Sequence, residues 1–389
     1  MNGTFYILHL GQYLTQPMSG VYQKTISLRD SLQDFVQVKV VGFGKGDVPE
    51  DSEIIWNNCD KENVWTALEL WCTENVARED RIYLRYPFAS KQLLNWMTKW
   101  GAQVFLEHNT IEENEAIEIQ RRAWKASRMQ FSRSFLKYSI DTWLLKKTNE
   151  TVFGPDVLSK ARGGVCVTHE IARYESNRSK GYQTFVFPNA ISNVVSNAPL
   201  PVWNGRDIKV VMIIGSLSNW HGLERIGKSL DEVFSSDLNV QIDFIGIDEI
   251  DWLKKYHGRP GKVVNFLGRK TLSEINKLMG QYHIAIGSLG LHRIGLTEAC
   301  PLKVREYFGN GLPVLLSYDD TVCLSNPQME KWTLKVSADE RSFSWLKVRD
   351  FLNVLYRNHN WKNELLEDAK RYLTYDQHAS DFVQFIFKK

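Results

Sequence analysis

The sequence predicts an α/β protein built as two Rossmann-like domains, each a parallel sheet covered by helices. Short apolar strands alternate with helical segments along most of its length. A strand, a glycine-bearing loop, a helix and a second strand follow one another twice, from Phe5 and again from Ile208. Between the two series, Ser196–Arg206 (SNAPLPVWNGR) carries two prolines, small polar residues and no periodicity, as a linker does. At 389 residues the chain is long for one core and comfortable for two. The expected domains are 1–198 and 199–375, with a final amphipathic segment, 376–389, returning to the first.

In the first half, Phe5–Leu10 reads as a strand, Gly11–Gly20 as a polar loop, Val21–Leu32 as a helix and Val36–Phe43 as the next strand. Ile54–Trp56, Ile82–Arg85, Val104–Leu106, Gly164–Thr168 and Thr184–Phe187 continue the series. After Leu106 comes EHNTIEENE, at the strand end where open α/β sheets bind ligands. His108 there has two readings, a chemical group or a loop histidine bonded to nearby backbone. Glu112–Glu118 suits the first turn of a helix, favoured by its dipole.

Gln120–Lys147 interleaves Arg121, Arg122, Lys125, Arg128, Arg133 and Lys137 with Trp124, Phe131, Phe135, Tyr138 and Trp143. Such a stretch suits peripheral contact with an anionic membrane or a lipid-phosphate acceptor. It equally suits a helix with an apolar core face and a basic outer face. A formal charge of +3 is too small to argue for nucleic acid. Five scattered cysteines without a CxxC pair speak against a disulfide framework or structural zinc, and for a reducing compartment. MNGTFYILHL has neither a basic leader nor a long apolar run, so a cytoplasmic location is expected, peripheral on the inner membrane face in the membrane reading.

The second half carries the chemistry. Ile208–Ile214 is a buried-strand run, and GSLSNWHG leads from it into a helix at Leu223–Leu230. Gly215 ends the strand and Gly222 opens the helix, a junction that offers backbone N–H groups to a diphosphate. It is neither a Walker loop nor a G-x-G-x-x-G fingerprint, so ATP-hydrolysis and NAD readings lose support. Val240–Gly246, Val263–Gly268 and His283–Gly287 are the next strands, with a helix at Leu272–Gln281. Then comes Ile284–Ser317, IAIGSLGLHRIGLTEACPLKVREYFGNGLPVLLS. Glu298 and Glu306 flank Pro301, which fits the first turn of a helix, and Lys303, which is poorly placed there against the dipole unless an anion binds. Glu306 falls in the second turn and Glu298 in the loop before the helix, so the two carboxylates reach one ligand from two directions. Helices are expected after Phe343, through Tyr356, at Trp361–Leu373 and at Ser380–Phe387.

GSLSNWHGLERI together with E-ACPLKVR-E-YFGNGLPVLLS resembles the C-terminal domain of GT-B glycosyltransferases, in particular the family 4 (group 1) enzymes. Thr168-His169-Glu170 and PNAIS at Pro188–Ser192 resemble the same family's strand ends in the first half. The likeness runs over most of the chain, with its specific motifs between Gly215 and Ser317. It implies a GT-B fold, two Rossmann-like domains facing each other across a cleft, and a retaining, metal-independent sugar transfer with no cofactor. The donor would be a UDP- or GDP-linked sugar and the acceptor a lipid-linked or oligosaccharide molecule, in bacterial surface-polysaccharide assembly.

Residue by residue, the resemblance gives Glu306 the ribose and Glu298 the donor sugar's hydroxyls. Cys300, Pro301, Leu302 and Lys303 would lie at the diphosphate, with Gly215, Ser216, His221 and Gly222 opposite. Gly268 and Arg269 would sit beside the base. His108 would approach the reacting sugar, and the acceptor would meet Gly20 and Asn109. The family often has arginine and lysine where this chain has Ser216 and His221. Charge on the leaving diphosphate would then fall to Lys303, a protonated His221, Arg293 or the helix termini. That departure keeps open a catalytically weak nucleotide-sugar-binding subunit of a partner transferase; a nucleotide-sugar epimerase on the same fold is the third reading.

Overall fold

A computed structural model describes residues 3–17, 19–49, 53–114, 117, 133–195, 201–215, 217–255 and 263–388. The chain divides into two compact units, 1–188 with 378–389, and 189–377. The division falls at Pro188/Asn189, ahead of the proline-bearing segment that reads as a linker; of that segment, 196–200 lies outside the described residues.

The N-terminal unit is a seven-stranded sheet in the order β3-β2-β1-β4-β5-β6-β7, every pair parallel. Its strands are β1 (Thr4–Leu10), β2 (Gln37–Gly44), β3 (Ile54–Asn58), β4 (Arg81–Arg85), β5 (Val104–His108), β6 (Gly163–Cys166) and β7 (Thr184–Val186). Helices Gly20–Leu32, Val64–Asn75, Lys91–Trp100, Arg133–Lys160 and His169–Arg178 make the crossovers. Thr168, read as part of a strand, instead caps the last of these, its hydroxyl accepting from Ile171 N at 3.0 Å. A threonine side chain that reaches the third helical amide stops the strand two residues early.

One sheet face buries Leu8, Val41, Leu84, Trp71 and Trp96. The other meets the final helix, Asp376–Phe387: Phe382 stacks on Phe187 with ring centroids 4.3 Å apart, Phe385 on Phe185 at 4.9 Å, and Phe5 meets Phe382 edge-on at 5.8 Å. The rich aromatic content here fills a core face. Of the basic aromatic stretch, 120–132 lies outside the described residues. No helix among the described residues is long and apolar enough to cross a membrane.

The C-terminal unit has a six-stranded parallel sheet in the order β10-β9-β8-β11-β13-β15. These are β8 (Asp207–Ile213), β9 (Asn239–Ile245), β10 (Val264–Phe266), β11 (Ile284–Ile286), β13 (Val314–Leu316) and β15 (Thr333–Lys335). Beside it, β12 (Glu298–Ala299) pairs with β14 (Asp319–Asp320). Glu298, expected in a loop, is thus in a short buried strand. The core gathers Val210, Met212, Ile242 and Phe244 with Leu230, Trp345 and Leu352 from the helices. Trp345 is fully buried and its indole N–H donates to Ser229 Oγ at 2.9 Å.

Candidate functional site

In each sheet the strand order reverses once, between β1 and β4 and between β8 and β11. The carboxyl edge beside such a reversal is where an open α/β sheet leaves room for a ligand, because the crossovers depart to opposite sides. The C-terminal unit uses that room. Strand β11 pairs with β8 only as far as Val211, so the last residues of β8 have one free side. Helix Leu302–Gly309 fills it: Ile213 N donates to the Tyr307 hydroxyl at 2.7 Å, and Lys303 Nζ donates to Ile213 O at 3.2 Å. One residue of β8, through its N–H and its carbonyl, therefore fixes the helix that carries Lys303 and Glu306.

Pro301 is the N-cap of this helix, one position earlier than expected, and no side chain caps it. An uncapped start leaves amides of the first turn directed outward with the positive end of the helix dipole. Lys303 and Glu306 are each partly exposed at this edge. Burial lowers the Lys303 ammonium to about 7, with Glu306 acting against the shift. Burial raises the Glu306 carboxyl to about 7, with Lys303 acting against it. Both are poised to change charge near neutrality, and an anion beside Lys303 would hold its proton on.

Glycines end the strands around this edge: Gly215 after β8, Gly246 after β9, Gly268 after β10 and Gly287 after β11. Gly246 has φ +100°, and a Cβ there would stand 2.1 Å from Ile214 O, so only glycine lets β8 and β9 end this close. Gly215 and Gly268 are exposed, and no atom of the described residues lies within 4 Å of where a Cβ would stand. The space over both is open. Arg269 beside Gly268 is exposed.

The loop after β8 turns through a short 3-10 stretch, Asn219–His221, into Gly222, whose left-handed φ of +70° opens helix Leu223–Ser235. It lies against the loop after β11, with Leu289 N donating to His221 O at 3.1 Å and Gly290 N to Trp220 O at 2.9 Å. The His221 side chain is buried and turned into the protein. Ser216 lies outside the described residues.

Arg293, expected as a spare cation for the diphosphate, is instead neutralised. It pairs with Glu224 and Glu340 and donates to Asn219 O at 2.7 Å. Cys300 is likewise engaged: its carbonyl accepts from Asn189 Nδ2 at 2.6 Å and its thiol donates to Asn189 O at 3.6 Å.

Two arginines that sequence reasoning passed over hold the site together. Arg225, fully buried, donates to the carbonyls of Leu289, Ser337 and Arg341, tying three segments to one helix. Arg305, between Lys303 and Glu306, forms a fully buried ion pair with Asp320, which also caps helix Thr321–Ser325 through Val322 N at 3.0 Å. The signal for the second was an arginine one residue before Glu306, on the opposite side of the helix from the edge.

In the N-terminal unit the corresponding edge is filled by its own charges. Lys24 pairs with Glu107 and donates to Asn109 Oδ1 at 3.0 Å, while Arg85 approaches Glu107 at 3.9 Å. Burial pushes the Glu107 carboxyl up, but Lys24 and Arg85 overcome it and hold it down at about 2. Burial lowers His9 to about 4. The cavity among these groups is about 10 Å³, enough for one water. Gly20 is exposed at the first turn of its helix, where Ser19 Oγ accepts from Tyr22 N at 3.1 Å. His108 is fully enclosed among Tyr86, Glu112, Glu175 and Tyr182, with no surface to offer a sugar.

No protein-family model and no curated protein sequence matches the chain. Solved structures do. HepE from Anabaena, in complex with UDP, is 13% identical with a TM-score of 0.59, over 98% of this chain and 99% of that one. A glycosyltransferase from Rickettsia africae is 12% identical with a TM-score of 0.61, covering 100% of both chains. WaaG, a glycosyltransferase involved in lipopolysaccharide biosynthesis, is 11% identical with a TM-score of 0.60, over 99% of this chain and 100% of that one. At such identities the likeness is one of fold, and with the two parallel-sheet units it establishes the GT-B fold for this chain.

Proposed function

We infer that the protein is a glycosyltransferase that takes a sugar from a nucleotide diphosphate sugar, with the donor held by the C-terminal unit. The observation that carries this is the uncapped start of helix Leu302–Gly309, with Lys303 and Glu306 at the reversal between β8 and β11. Glu306 accepts the ribose hydroxyls, and Lys303 with the first-turn amides meets the diphosphate. The glycine edge at Gly215 and Gly268, with Arg269, leaves flat room for a base. A second solved structure of HepE, with UDP and glucose, and one of the O-GlcNAc transferase GtfA with UDP and GlcNAc support a uridine donor.

Departure of the nucleoside diphosphate leaves an oxocarbenium-like sugar and puts charge on the phosphate. Among the described residues, Lys303 and the helix terminus are the positive groups that meet it, and in this reading transfer needs no metal. Retention at the sugar carbon, membership of family 4, and a lipid-linked or saccharide acceptor in surface-polysaccharide assembly, reached through Gly20 and Asn109, complete the proposal. Glu298, in β12 ahead of the helix, meets the hydroxyls of the donor sugar in this reading. His108 is left out, because its side chain is enclosed.

The engagement of Arg293 by Glu224 and Glu340 favours one competing reading, a binding subunit with little catalysis of its own. Purified protein incubated with UDP- and GDP-sugars separates the two. Slow donor hydrolysis that disappears in Glu306→Ala is the expected result. Tight nucleotide-sugar binding with no hydrolysis would leave the binding subunit, and sugar conversion without an acceptor would mean an epimerase.

A further inference from the structure

A second constellation lies inside the N-terminal unit, apart from everything the proposed transfer uses. His108 ends β5, Glu112 follows in the next turn, and Glu175 comes from helix His169–Arg178. His108 Nε2 is 3.1 Å from the Tyr182 hydroxyl. The other ring nitrogen, Nδ1, faces Glu112 Oε1 at 3.7 Å and Glu175 Oε1 at 3.8 Å. Hydrogen bonds of this type run to about 3.2 Å, so neither contact is one. The histidine is 0% exposed and Nδ1 has no hydrogen-bond partner.

Donor atoms of the three side chains lie within 4.8 Å of one another. Ligands of one zinc- or manganese-class ion, with bonds of about 2.1 Å, sit roughly 3 to 4 Å apart. Only a small contraction separates the arrangement from a coordination shell. Outer contacts of the kind that orient ligands are already made: Tyr182 sits on the far ring nitrogen of His108, and Arg178 donates to both oxygens of Glu175, at 3.2 and 2.9 Å.

Charge points the same way. Glu112, Glu150 and Glu175 are all buried close together, and Arg178 pairs with Glu150 and Glu175. Glu150 is taken up by Arg178 at 2.7 Å, the Tyr86 hydroxyl at 3.0 Å and Ala89 N at 2.5 Å. Carboxylates packed this closely in a dry site repel one another, and one divalent cation between them relieves that repulsion.

We propose that His108 Nδ1, Glu112 and Glu175 bind one divalent metal ion of the zinc or manganese class inside the N-terminal unit. The mixed nitrogen and oxygen donors suit that class over calcium or magnesium. The ion ties the end of β5 and the turn after it to helix His169–Arg178, and it keeps the His108 imidazole turned inward. The rival arrangement holds two protons in place of the ion, one on His108 and one on a glutamate.

Elemental analysis of the untagged, full-length protein after gel filtration decides between them. The expected result is about one zinc or manganese per chain. Chelation should lower Tm, and either metal should restore it. Glu112→Gln, which keeps the side chain's shape, should reduce metal content about tenfold. Metal below about 0.1 per chain, with Tm unmoved by added zinc or manganese, would overturn the proposal without reference to any variant. A charged His108 ring in the nitrogen-15 spectrum of that metal-free protein would then identify the two-proton arrangement.

Discussion

Both units bring charged side chains to the carboxyl edge of a parallel sheet where strand order reverses, and they use them in opposite ways. In the N-terminal unit, Lys24 and Arg85 pair with Glu107 around a cavity the size of a water, and His108 with its glutamates is sealed beside them. In the C-terminal unit, Lys303 and Glu306 are partly exposed, and the ammonium rests on a backbone carbonyl. Saturated charges hold a fold together. Charges shifted toward neutrality by burial, with open space over the adjoining glycines, are primed for a ligand that supplies the missing partner.

The sharpest way to break the contrast is to remove a sealed charge. Arg178→Met strands Glu150 and Glu175, and is expected to destabilise by about 3–5 kcal/mol, as loss of one partner of a buried pair does. Chemical denaturation measures it, and UDP affinity of the folded fraction should be unchanged. Glu306→Ala should do the reverse, weakening UDP about 10- to 100-fold, the worth of about 1.5–3 kcal/mol for hydrogen bonds to a charged group, with little loss of stability. Equal effects on stability from both variants would erase the distinction between the two edges.

Smaller effects follow from proton linkage. The lysine binds its proton up to 10.5 when unfolded but only to about 7 when folded, so its contribution to stability rises with pH between those values. Glu306 is raised from 4.5 to about 7, so its contribution falls as pH rises across that window. Together they place a stability minimum near pH 7. Lys303→Met should remove the upper limb, raising Tm at pH 7 while weakening UDP. UDP affinity in the unaltered protein should peak near pH 7, where charged Lys303 and ionised Glu306 coexist. Titration calorimetry from pH 5.5 to 8.5 checks this, and a flat profile would mean that neither group meets the ligand. Arg293→Ala marks the low end: with Glu224 and Glu340 already neutralising it, its loss should change UDP affinity less than about twofold.

Much of this architecture was legible in the sequence because parallel strands buried on both faces read as unbroken apolar runs, as in Ile208–Ile214. The glycine closing each run (IIG, FIG, FLG, AIG) marked the edge where the proposed site lies. The turns that hold Lys303 and Glu306 were legible because their spacing from Pro301 fixes them. What stayed hidden depends on partners distant in sequence. Arg293 reads as a free cation until Glu340, 47 positions away, is seen to hold it. His108 reads as a strand-end histidine until Glu175 and Tyr182 close over it. The unit boundary at Pro188 was missed because a chain can leave a domain without a flexible-looking segment.

The most direct test of the donor site is hydrogen–deuterium exchange with and without UDP. Slowed exchange is expected at the amides of Gly215–Gly222 and Leu302–Glu306, with the segments around Lys24 and His108 unchanged. Protection confined to the N-terminal unit, with Leu302–Glu306 unaffected, would contradict it.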